Sequence, residues 1–339
     1  MMTYRHNDMS RLIVLALVLA AGLLAGCARD VPEIKEEKAE ISVTTNLTPM
    51  RMRANTIDNN TDLQAEGHFT CVAYEAGSNP LVLYIPTTTV DWNSTAEKWY
   101  FNNGASHYYW PLPASNGGAW PSLDFFGYMP KAANLSTEAP YIGSIDYTVA
   151  HNVTFSCSSL PMTNAEQGSD LKEFMFGIAL GQNYGNAAAG VPLTFQHPFA
   201  RINLQLAVSH PDITINSITF RGIYNNGSFT YNHSASTSTW VTEDDDIDFV
   251  LSLTGDAAVF DNNPPTPVQI GDYYIMIPQD WAGEIVVDAD CVFWGEKVNY
   301  PSLTTTVPTN WQPGYSYTYT FNISPDDLKV NIEQFTEQW

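Results

Sequence analysis

Apolar and polar positions change places in short runs along most of the chain, and few of those runs keep a helical period. Phe69–Tyr74, Leu81–Ile85, Leu123–Tyr128, Val153–Ser156, Phe174–Ala179, Ala200–Val208, Ser217–Ile223, Phe249–Leu253, Tyr273–Ile277, Glu284–Phe293 and Tyr315–Ile323 are rich in Val, Ile, Thr, Tyr and Phe. Gly, Pro, Asn and Ser separate them, which predicts strands divided by turns. Ile41–Thr45 alternates apolar and polar residues in the same way, the period-2 signature of a strand. The best helical window, Ala165–Phe176, is short. Many short strands at this spacing predict an all-β chain of sandwich type. The Pro/Gly/Ala-rich stretch Gly181–Pro192 divides it into halves of ordinary domain size. The expectation is an N-terminal domain over 41–190 and a C-terminal domain over 191–339.

The N-terminal 26 residues fall outside that pattern. Arg5 and Arg11 precede an apolar run from Leu12 to Leu24, which has the length of a signal-peptide core and is too short to span a membrane as a helix. It ends in Leu24-Ala25-Gly26-Cys27, similar to the lipobox of bacterial lipoprotein precursors. Small residues let a peptidase reach the backbone, and the Cys27 thiol accepts the lipid. The expectation is export, lipidation on Cys27 and a charged tether over 27–40, with membrane contact through the lipid anchor alone. Arg51 and Arg53 follow in a segment without helical pattern that continues into a polar loop at IDNNTD.

Composition narrows the function. The 339 residues carry 14 Lys+Arg against 36 Asp+Glu, a formal net charge of −22, with 15% charged and 13% aromatic residues. Disorder calls for few aromatics and dense charge, and nucleic-acid binding calls for clustered Lys and Arg; neither description fits. An acidic surface supports solubility and repels anionic membranes and glycans. Three cysteines remain beyond Cys27, namely Cys71, Cys157 and Cys291. An odd, widely spaced set forms no disulfide framework, though it leaves room for one pair; Cys71 and Cys291 sit inside strand-like patterns and are expected as buried free thiols.

Catalytic and metal chemistry find no handle. The histidines (His6, His68, His107, His151, His197, His210 and His233) show no HxxxH or HExxH spacing, and there is no CxxC, GxSxG, Walker loop or GxGxxG. Each of those patterns brings ligands, a nucleophile or a phosphate cradle together locally. No enzyme activity, cofactor or metal is therefore expected. The acidic run Glu243–Asp248 lacks the glycine and bidentate glutamate of a calcium loop and reads as a solvated turn. Asp288 and Asp290 read as solvent-facing positions of a strand. The aromatic segment Trp99–Trp120 admits two readings, core filling between sheets or a platform for sugar rings, and core filling is the expectation. His197 reads as a hydrogen-bonded core histidine.

Five local patterns in order, YYWP (Tyr108–Pro111), LDFFGYMP (Leu123–Pro130), FQHPFARINLQL (Phe195–Leu206), YYIMIPQ (Tyr273–Gln279) and PGYSYTYTFNI (Pro313–Ile323), resemble the fimbrillin family across essentially the whole mature chain. These are the type V pilus subunits and Mfa-like surface proteins of Gram-negative anaerobes. The resemblance implies two transthyretin-like β-sandwich domains in tandem and a surface-exposed structural or adhesive subunit at the outer membrane, later in a fimbrium. It implies an Arg-specific protease cutting after Arg53, at Arg53-Ala54, with Arg51-Met52 as the second choice. The cut removes the strand carrying Ile41 and Val43, and a C-terminal strand of another subunit replaces it by β-strand addition. Leu328, Val330 and Ile332 mark the candidate donor strand here. An alternative is a non-polymerising, lipid-anchored surface protein that binds a host or bacterial glycan or protein.

Overall fold

The computed structural model describes residues 38–47, 59–113, 119–138, 140–169, 173–207, 213–243, 246–254, 259–260, 267–293, 296–324 and 327–335. The lipobox with Cys27 and the segment with Arg51, Arg53 and Ala54 lie outside the described residues.

The first strands close into a seven-stranded barrel. Its members are β1 (Val43–Asn46), β2 (His68–Glu75), β3 (Leu83–Asn93), β4 (Lys98–Phe101), β5 (Leu123–Met129), β8 (Met175–Gln182) and β9 (Val191–Gln196), in the order β1-β4-β3-β2-β5-β8-β9. Phe69, Leu123, Phe125, Met175, Leu193 and Phe195 fill the interior, so the barrel is a packed core rather than a pore. Gly127 on β5 lies opposite Gly177 on β8. A Cβ on Gly127 would stand 3.1 Å from Leu193 Cδ1, and one on Gly177 3.2 Å from the Thr194 carbonyl. The absent side chains are what let β9 pack so closely on that pair.

The barrel's outer surface is covered on one side. A four-stranded sheet orders β13 (Thr237–Thr242), β12 (Gly227–Asn232), β7 (Val153–Cys157) and β6 (Asp146–Tyr147). Its Phe155 and Phe229 stack with ring centroids 4.7 Å apart and pack with Phe126, Phe176 and Phe199. This explains why every residue of β5, LDFFGYM, is buried: Phe125 points into the barrel and Phe126 out into the second core.

The C-terminal half is a pair of facing sheets. One contains β16 (Val268–Gln269), β10 (Ala200–Leu206), β22 (Ser316–Ser324) and β23 (Asp327–Phe335), with β17 (Tyr274–Met276) also on β10. The other contains β14 (Asp246–Ser252), β11 (Ile213–Tyr224), β19 (Glu284–Phe293) and β20 (Glu296–Thr306), with β15 (Val259–Phe260) on β11. Ile202, Leu204, Ile218, Phe220, Ile285 and Tyr319 meet between them. The short pair β18 (Asp280–Trp281) and β21 (Thr309–Asn310) completes the fold and stacks Trp281 on Trp311. Among the described residues two short α-helices are present, α1 (Asn60–Glu66) and α2 (Asn164–Ser169).

The protein is all-β, as expected, and several details differ from the sequence reading. The helical window at Ala165–Phe176 yields only α2, because Met175 and Phe176 already belong to β8. The polar loop at IDNNTD contains the start of α1, whose first turn is capped by Asn59 Oδ1 accepting from Thr61 and Asp62 N–H. The stretch Gly181–Pro192, read as a boundary, joins β8 to β9 within the barrel, and the chain leaves the barrel only after Gln196. In β22 Ser316 and Thr318 are buried as fully as Tyr317 and Tyr319, because the strand lies between β10 and β23 with both faces covered. Asp288 and Asp290 are half-buried rather than free in solvent: Asp288 accepts from Asn216, and Asp290 pairs with Lys297 at 2.7 Å. The run Glu243–Asp248 is not one turn, since Asp246–Asp248 opens β14.

Candidate functional site

The position with most functional potential is the strand that closes the barrel. β1 is only four residues long and runs parallel to β9, with Val43 opposite Val191 and Asn46 opposite Thr194. On its other side it pairs with β4 through Val43 and Trp99. Pairing starts earlier than the expected tether allows: Trp110 N–H donates to the Ala39 carbonyl at 3.0 Å and Ile41 N–H to that of Tyr108 at 2.7 Å. His107 Nδ1 lies 2.7 Å from Glu40 Oε1 in an exposed ion pair. The chain is therefore paired from Ala39 onward, inside the range 27–40 expected of a tether.

The alternation read at Ile41 and Val43 is what seals the barrel. Ile41, Val43 and Leu47 are 2%, 3% and 7% exposed, whereas Thr44 between them is exposed. They pack in the core that holds Trp99, Trp110 and Leu193. Gly190, at φ +80, turns the chain into β9 and leaves the room β1 needs, since a Cβ there would stand 3.0 Å from Thr44 Cγ2. Each buried aliphatic side chain of this kind contributes about 1.5–3 kcal/mol. A four-residue strand with parallel pairing on one flank is nevertheless a light closure for a barrel.

The candidate donor strand is paired within its own chain. β23 runs antiparallel to β22, placing Leu328, Val330 and Ile332 opposite Ile323, Phe321 and Tyr319. It is the end strand of its sheet, with one sheet neighbour.

Most of the aromatic segment fills the core. Trp99, Phe101 and Trp110 are 5%, 4% and 2% exposed, and Trp99 meets Phe69 edge-on at 4.9 Å. Tyr109 and Trp120 stay open at 41% each, and Trp120 stacks on Tyr184 with centroids 4.4 Å apart. His197 is a buried core histidine, with Nδ1 2.8 Å from Glu173 Oε1. Cys71, Cys157 and Cys291 are buried free thiols, and burial pushes Cys71 and Cys157 up to about 12. Among the described residues no cluster of His, Cys, Asp and Glu is arranged to hold a metal, and no helix is long and apolar enough to cross a membrane. Sequence reading missed one feature, a cavity of about 490 Å³ beside Leu47 with walls from β9, β12, β13 and the Gln312–Tyr315 turn. No local motif marks it, because its walls come from separate segments that only the fold brings together.

Residues 51–339 match the model of the fimbrillin-like family, and the chain belongs to that family, one of structural rather than catalytic proteins. Comparison with curated protein sequences finds no match. Among solved structures, a fimbrial protein from Bacteroides vulgatus ATCC 8482 superposes with a TM-score of 0.62 at 14% identity, covering 87% of this chain and all of that one. A candidate cell adhesion protein from Bacteroides ovatus ATCC 8483 superposes at 0.51 with 14% identity, covering 89% and 98%. At such identities the likeness is one of fold.

Proposed function

We propose that this chain is a structural and adhesive subunit of a cell-surface fimbria, assembled by strand exchange at the barrel. The precursor is exported, acylated on Cys27 and held at the outer membrane by that lipid. An Arg-specific protease then hydrolyses the Arg53-Ala54 bond, or Arg51-Met52, between β1 and α1. The cut frees β1 with its lipid, because no covalent link then holds the strand to the barrel. Trp99, Trp110 and Leu193 are left lining an open groove between β4 and β9, whose unpaired backbone groups accept a replacement strand. The donor is the segment with Leu328, Val330 and Ile332 from another subunit. Each subunit accepts at one site and donates from another, so assembly gives a filament rather than a closed dimer.

The single observation that carries this reading is the burial of Val43 in β1, and of Ile41 and Leu47 on either side of it, in the core of the barrel that this short strand closes. The deciding experiment is mass spectrometry of the N-terminus on the producing cell. A terminus at Ala54 or Met52 supports processing and assembly; an intact acylated Cys27 on all copies overturns the assembly reading and leaves a free-standing surface lipoprotein. The glycan-binding alternative rests on a smaller set of aromatics, Tyr109 and Trp120, since Trp99, Phe101 and Trp110 belong to the core.

A further inference from the structure

The cavity beside Leu47 has the chemistry of a ligand site. Its volume of about 490 Å³ lies within the roughly 300–1,000 Å³ of small-molecule sites. One wall is β9, with Thr194 and Gln196 on the strand's outer side; the second is the β12–β13 hairpin with Tyr231, Thr237 and Ser238; the third is the turn ending at Tyr315. None of the lining residues is Asp, Glu, Lys or Arg, in a chain that carries 36 acidic residues. The one ionisable imidazole there, His197, is held by Glu173.

The walls are fixed before any ligand arrives. Gly314, at φ +75, donates its N–H to the Phe199 carbonyl at 2.9 Å. The Gln312 N–H donates to Tyr317 Oη at 2.7 Å. The hairpin is tied by Ala235 N–H to Asn232 Oδ1 and by Ser236 N–H to the His233 carbonyl. The side chains of Thr194, Gln196, Thr237 and Ser238, by contrast, make no hydrogen bond to the protein among the described residues. Hydroxyls and carboxamides both donate and accept, and here they converge on one space with two tyrosine rings.

We propose that this cavity binds a neutral saccharide, the terminal sugars of a surface glycan. Sugar hydroxyls also donate and accept at each position, which matches a wall of uncharged donor–acceptor groups and leaves no ion to desolvate. The apolar C–H face of a pyranose ring suits the half-buried Tyr315 on the cavity wall. The acidic body of the protein opposes anionic sugars. This site gives an adhesive role its ligand class, and it does not require β1 to leave.

The test is calorimetric titration of the purified full chain with maltose, lactose, cellobiose, diacetylchitobiose and, as the charged comparison, sialyllactose. Thr237→Trp fills the mouth from an exposed position, while Thr239→Trp places the same bulk on β13 away from the cavity. Gln196→Ala and Ser238→Ala remove single polar groups. The expected result is saturable binding of at least one neutral disaccharide, abolished by Thr237→Trp, retained by Thr239→Trp and Trp120→Ala, and weakened roughly tenfold by Gln196→Ala or Ser238→Ala. Three results overturn the proposal: no neutral sugar saturating at tens of millimolar, binding that survives Thr237→Trp, or binding of sialyllactose alone. Binding by unprocessed monomer is measured independently of the terminus found on cells, so this site and the assembly reading fail separately.

Discussion

Truncating Ile41 to alanine tests whether a four-residue strand seals the barrel. The side chain is 2% exposed and packs in the core with Trp99, Trp110 and Leu193. An Ile→Ala change at such a site costs about 2–5 kcal/mol, the spread reflecting how far the walls collapse into the cavity. At about 2–4 °C per kcal/mol, the scaling for about 150–250 residues, the melting temperature falls by roughly 4–20 °C. Thr44→Ala on the exposed face of β1, where the hydroxyl makes one long 3.4 Å bond to the Val191 carbonyl, serves as the control and costs less than about 1 kcal/mol. Thermal melts by circular dichroism give the magnitude, and hydrogen exchange gives the place. Protection is expected to drop in β4 and β9, the two partners of β1, while β19 and β20, which pair with each other in the facing sheets, keep theirs. A melting shift for Ile41→Ala no larger than that for Thr44→Ala refutes the reasoning, and so does a loss of protection spread evenly over the chain.

Two other predictions concern buried groups. His197→Ala takes from Glu173, whose side chain is 4% exposed, the imidazole that lies 2.8 Å away, and leaving that buried carboxyl without this partner is expected to cost about 1–3 kcal/mol in denaturant melts. Arg221→Ala breaks the shorter but exposed 2.6 Å pair with Glu284 and is expected to cost no more than about 1 kcal/mol; a reversed order contradicts the burial argument. Cys71 and Cys157, with thiols raised to about 12, expose roughly one thiolate in ten thousand at pH 8. Both are expected to stay silent to iodoacetamide until the protein is unfolded. Because the folded thiols hold their protons longer than the unfolded ones, stability present below about pH 9 is lost as the pH rises toward 12, and a denaturant midpoint flat across that range contradicts the assignment.

Much of the fold was legible in the sequence because a half-buried strand writes its period directly into the chain. Val153–Ser156, Glu284–Phe293 and Leu123–Tyr128 fall on β7, β19 and β5 within a residue or two. The strands that went unread are the polar ones. β13 (TSTWVT) and β20 (EKVNYPSLTTT) are end strands of their sheets, so little of either enters a core and no apolar period marks it. β4 and β12 are short runs placed by their partners more than by their own pattern. The alternation at Ile41 and Val43, the core role of His197 and the buried thiols were all readable, since each depends on residue type and near neighbours.

What the chain alone determined is therefore which segments extend and which residues seek burial. Tertiary structure decided where each strand goes. β1 pairs with β9 across about 150 residues, a choice made by the shape of the space between Trp99 and Leu193 rather than by anything written near Val43. β9 joins the barrel instead of opening a second domain for the same reason: Gly127 and Gly177 leave a slot that only Leu193 and Phe195 fill. The neutral cavity is likewise assembled from three distant segments. Local period follows from the backbone's own geometry, whereas register and pairing follow from complementary volumes that exist only once the sheets have met.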